Sequence, residues 1–135
     1  MPKDNLLDSP SMEPVRFPPR FLEAVRRFNG GKFFEAHEAF EDLLDEVEGD
    51  ERWELLVALI QIAVGYHKCV AGHPGAARML RLGGAKLERF PAVACGVAVE
   101  RLRQRAAEDA ALLEAGTGLG ARFTETPPRI VMMRS

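Results

Sequence analysis

The chain has 135 residues, 47% of them apolar and 28% charged, and carries a net charge of −2 at pH 7. That length supports one compact domain rather than two, and the mixture excludes wholesale disorder, a collagen-like repeat and a disulfide-stapled miniprotein. So small a net charge provides no electrostatic footprint for nucleic acid.

Residues 1–17 hold Pro2, Pro10 and Pro14 among polar residues with no sustained period, which predicts a mobile lead-in. No basic stretch followed by an apolar one marks a signal peptide here. Pro18-Pro19 then open a short amphipathic helix carrying Phe21, Leu22, Val25 and Phe28, stopped by Asn29-Gly30-Gly31. The spacing of Phe33, Ala36, Phe40, Leu43 and Val47 predicts a second helix from about Lys32 to Val47. A third runs from about Glu51 to Val70 and is apolar nearly all round between Leu55 and Val64, interrupted only by Gln61. Such a helix is the one its neighbours surround. It still falls short of the ~18 unbroken apolar residues of a membrane span, so no membrane is expected.

After the break at Gly72-His73-Pro74-Gly75, a fourth helix with Ala76, Met79, Leu80, Gly83 and Leu87 stops before Phe90-Pro91. A fifth spans about Val97 to Glu114, with Leu102, Ala106, Leu112 and Leu113 on its apolar side. Gly116-Thr117-Gly118-Leu119-Gly120 reads as a flexible exit, and Pro127–Met133 as an extended tail lying across the bundle or a neighbouring subunit. The predicted fold is all-α: a single bundle of about five helices over residues 18–115, a lead-in over 1–17, and an exit and tail over 116–135.

Charge is segregated along this scaffold. Eight acids and no Lys or Arg lie between Glu35 and Asp50, while the stretch from Lys68 to Arg105 is predominantly basic. Two solvated faces that attract weakly across the bundle are the plain expectation, with a matched homo-oligomer contact or an anion site as alternatives. The two cysteines, Cys69 and Cys95, form no disulfide framework and suit a reducing cytoplasm.

The chemically suggestive stretch is Phe33–Glu41. His37 and Glu41 sit one turn apart, in a row flanked by Phe34 and Leu44, at the expected edge of the core. If the third helix returns antiparallel, Gln61 comes level with His37, and His67 with Phe33–Glu35. A cluster of His37, Glu41 and Gln61, joined by Glu38 and His67, follows as the expectation, since buried polar groups need partners. Three readings compete. The cluster is a hydrogen-bond network fixing how two helices meet; or His37, Glu41 and His67 hold a metal ion; or Glu41 orients His37 as a general base beside Glu38. The metallohydrolase motif H-E-x-x-H is absent, because position 41 is Glu. A carboxylate site on facing helices lacks its second half, because the third helix has no acid after Glu54. Nothing in the sequence requires a cofactor. Cys69, Trp53 and the glycine pairs suggest no further chemistry, and His67 beside Ile60, Ala63 and Val64 reads as a core histidine.

The run Phe28-Asn29-Gly30-Gly31-Lys32-Phe33-Phe34-Glu35-Ala36-His37-Glu38 with Glu41, the block Leu59-Ile60-Gln61-Ile62-Ala63-Val64 with His67, and Pro127-Pro128-Arg129-Ile130 resemble the prokaryotic domain of unknown function 309 family. Leu44 stands where that family usually has tryptophan, and His73 where asparagine is common. The resemblance implies a compact all-helical bundle with no assigned reaction, and it marks Glu35, His37, Glu38, Glu41, Gln61 and His67 as signature positions. The function expected is a cytoplasmic binding or interaction module that takes a small molecule or a second copy of the chain; the alternative is a small hydrolase or metal-dependent enzyme using His37, Glu38 and Glu41.

Overall fold

The computed structural model describes residues 16–133, so the expectation of mobility for residues 1–15 lies outside it. Within the described residues the order is α1 (Phe21–Asn29), α2 (Phe33–Glu41), a 3₁₀ turn (Leu44–Val47), α3 (Glu51–Val70), α4 (Ala76–Leu87), α5 (Val99–Glu114) and α6 (Gly120–Glu125). The fold is all-α, as expected from the helical spacing.

From α1 to α5 each helix packs on the next in the chain, with α3 between α2 and α4. Its apolar girth is thereby used on two sides: Leu55, Leu56, Ala58, Leu59, Ile62, Ala63 and Tyr66 are all buried. By length and composition alone α3 could cross a membrane. The packing of α2 and α4 against it accounts for the same composition.

The α3–α4 crossing depends on two glycines. A Cβ on Gly65 would come 2.7 Å from Leu80 Cδ2, and one on Gly83 would come 2.8 Å from Ile62 and 3.0 Å from the Ala58 carbonyl oxygen. The helices approach closely because both positions lack side chains.

Two expectations change. The second helix does not reach Val47: after Glu41 the chain tightens, Leu43 N–H bonding Phe40 O and Glu46 N–H bonding Leu43 O. Glu38, Glu41, Asp42, Asp45 and Glu46 place like charges at helical spacing near the negative end of the helix dipole, which disfavours continuing the α-helix. Leu43 and Val47 still point inward and are buried. Between the exit and the tail, Gly120–Glu125 form a sixth helix, α6, which local sequence does not announce because it is too short to form unaided. No direct ion pair joins the two charged stretches among the described residues. Among the described residues Glu41 pairs with His37, Glu46 with Arg20 and Asp50 with Arg52, while Arg81, Arg89 and Arg103 pair with Glu114, Glu54 and Glu100.

The tail lies across the bundle. Asn29, expected only to end α1, clamps it in both directions: Asn29 Nδ2 donates to Ile130 O at 3.0 Å and Asn29 Oδ1 accepts from Ile130 N–H at 2.7 Å. Ile130 is buried, and Met132 bridges to Val97. At the other end, Phe17, assigned to the lead-in, stacks on Phe21 with ring centroids 4.1 Å apart.

The close crossing sets a paired test by urea unfolding. Gly83→Ala is expected to destabilise by about 1–3 kcal/mol through overpacking. Gly84→Ala, where nothing lies within 4 Å of the new Cβ, should be neutral or stabilising by up to about 1 kcal/mol through helix propensity.

Candidate functional site

On α2 the three- and four-residue steps place Phe34, His37 and Glu41 along one flank, beside the buried row Phe33, Ala36 and Phe40. His37 Nε2 lies 3.2 Å from Glu41 Oε2, with the imidazole 20% exposed and the carboxylate 51%. Phe34 links this pair to α3: its ring centroid is 5.6 Å from His37 and 5.3 Å from His67. Phe34 is 45% exposed and Val70, one turn beyond Tyr66, is 64% exposed. They border an open groove of about 580 Å³, with Lys32, Phe33, Glu35 and His67 on its walls.

The expected cluster forms only in part. His37 and Glu41 meet, but Glu41 is half in solvent rather than at a buried edge. His67 is exposed and packs on Phe34, so it is not a core histidine. Gln61 does not complete the network: its Oε1 is buried and accepts no hydrogen bond. Gln61 and His67 are six positions apart, which at ~100° per residue turns Gln61 about 120° away from the flank that meets α2. Height along the helix is right for Gln61 and azimuth is not. Glu35 shares the His67 groove, whereas Glu38 lines a separate one between α1 and α2 with Arg20, Glu23, Arg27 and Asp42. His37, Glu38 and Glu41 therefore do not face one cleft. Among the described residues no group of three or more His, Cys, Asp or Glu is placed to hold a metal ion, so His37, Glu41 and His67 are not gathered as ligands.

The buried polar network lies elsewhere, on α5. Asp109 is fully buried. Its Oδ2 accepts from the Tyr66 hydroxyl at 2.6 Å and from Arg105 Nε at 2.7 Å, and its Oδ1 from Arg122 Nε at 2.7 Å. Burial, reinforced by the neighbouring carboxylate, drives the Tyr66 hydroxyl far above the usual phenol range, so it remains a donor. The same carboxylate raises the Arg122 guanidinium further. Cys69 nearby is pushed up to about 11, mainly by burial, and is a thiol at neutral pH. One sequence signal pointed here: Asp109 falls on the stripe of Leu102, Ala106 and Leu113, where an acid must find partners. Arg105 is one turn away on the same helix, but the other two partners are 43 and 13 residues away, beyond the reach of local pattern.

Residues 21–80 match the family model described as Domain of unknown function (DUF309), which supports the resemblance. The matched span holds all six signature positions and α1 to α3, and ends before Asp109. No curated protein and no solved structure matches the chain.

Because Glu41 is already hydrated, removing its partner orphans no buried charge. His37→Ala is expected to cost less than about 1 kcal/mol in urea unfolding; a loss above about 2 kcal/mol would restore the picture of a buried network at this seam.

Proposed function

We propose that the protein is a cytoplasmic binding module whose recognition surface is the α2–α3 groove. The observation that carries this reading is Phe34, held between two imidazoles yet 45% exposed, with Val70 64% exposed across the same groove. A large aromatic side chain left in water beside another apolar residue, with Lys32, Glu35 and His67 around them, has the composition of a ligand site: apolar surface plus a few polar groups to set orientation. The neighbouring Phe33 is buried, whereas Phe34 stands at the surface of the groove.

Binding is favoured over hydrolysis by the separation of the carboxylates. Glu38 opens to the α1–α2 groove with two arginines nearby, which separates it from the His37–Glu41 pair. The two half-buried free thiols, Cys69 and Cys95, suit a reducing compartment.

The test is amide chemical-shift mapping of the ¹⁵N-labelled chain against benzoate, benzylamine and indole as small aromatic probes. Shifts centred on residues 31–37 and 66–70, lost in Phe34→Ala with the fold intact, are expected. Probes that perturb other surfaces only, or none, refute the assignment of the groove.

A further inference from the structure

The segment after α5 is attached to the bundle in an unusual way. Among the described residues, no main-chain to main-chain hydrogen bond joins 118–129 to the rest of the molecule; those the segment makes, such as Phe123 N–H to Leu119 O and Thr126 N–H to Arg122 O, are internal. No residue of α6 is fully buried. Four side chains hold the segment down. Leu119 and Pro128 are buried, Phe123 packs with ring centroids 6.1 Å from Phe33 and 6.0 Å from Tyr66, and Arg122 reaches Asp109 at 2.7 Å and Glu108 at 3.1 Å.

Both ends are nevertheless fixed. Gly116, at φ +82°, ends α5, and no atom crowds Gly116, Gly118 or Gly120. At the far end Pro127-Pro128 lead directly into the Asn29–Ile130 clamp. Lifting the segment therefore frays neither α5 nor the tail. It also leaves Asp109 with two partners, Tyr66 and Arg105, both on Oδ2. Arg105 Nη2, on the same carboxylate cluster, is buried without a partner, and an orphaned donor disfavours the state that buries it.

From this attachment we infer that residues 118–129 form a strap that opens and closes as one unit, with Arg122 on Asp109 as its latch. The strap controls access to a second groove of about 560 Å³, whose fixed wall is Cys69, Val70, Ala76 and Leu113 and whose moving wall is Leu119 and Phe123. Segments held by few side chains and no shared main-chain ladder open well below the free energy of global unfolding. A six-residue helix that lifts away loses the packing on which its own hydrogen bonds depend. This inference stands apart from the reading of the α2–α3 groove, although Val70 borders both.

Hydrogen exchange followed by NMR on the full chain tests it. In wild type, the hydrogen-bonded amides of Phe123 and Thr126 are expected to exchange together, at least about tenfold faster than Ala106 and Ala110 in α5, since local opening costs less than global unfolding. Arg122→Gln should speed Phe123 and Thr126 by a further factor of about ten, the loss of a charge-assisted hydrogen bond, while α3 and α4 amides keep their rates. Alkylation of Cys69 by iodoacetamide should rise in the same variant, with Cys95 unchanged as the internal control. If Arg122→Gln does not fold, the wild-type comparison of strap and α5 amides decides alone. Strap amides that exchange only at the α5 rate, or a variant that accelerates every helix equally, overturn the strap.

Discussion

One carboxylate, sealed from water, joins parts of the chain that local folding would leave apart. Asp109 takes hydrogen bonds from Tyr66 on α3, Arg105 on its own helix and Arg122 on α6. A buried charge is costly unless well-placed donors engage it, so α5 must present Asp109 toward Tyr66, and with the strap closed α6 brings Arg122 over it. The aromatic cluster forms around the same point. Tyr66 packs against Phe28, Phe33 and Phe123, so α1, α2 and α6 meet at the ring whose hydroxyl is fixed by Asp109.

Beside this buried network lie two grooves. Val70, on the last turn of α3, borders both. On one side Phe34 and His67 face water; on the other, Cys69 and Leu113 face the strap. Of the polar residues singled out in the sequence, Glu35 and His67 line the first groove, Glu38 lines another and Gln61 Oε1 is buried, while the acid that joins three helices, Asp109, lies outside that set.

Much of the scaffold was legible because it is local. Apolar steps of three and four, proline at the start and glycine at the end identify α1, and α3 runs over Glu51–Val70 as the apolar run implies. The pairing of His37 with Glu41 is local too, one turn apart on one helix. What was not legible depends on tertiary context. The roughly 120° offset of Gln61 from His67 is contained in their six-residue spacing, but which flank of α3 meets α2 depends on how the two helices cross. The break after Glu41 reflects an accumulation of like charge that outweighs a continuous apolar stripe. The sixth helix exists because Arg122 and Phe123 find partners far away in sequence, and Asn29 shows its clamping role only once Ile130 is beside it.

The stability of Asp109→Ala in urea measures most directly what this carboxylate holds together. Truncation leaves Tyr66, Arg105 and Arg122 facing a vacated buried position, and a loss of about 3–5 kcal/mol is predicted, as for breaking a buried ion pair. A variant within about 1 kcal/mol of wild type, in the range of an exposed pair, would contradict the claim that this one carboxylate joins α3, α5 and α6.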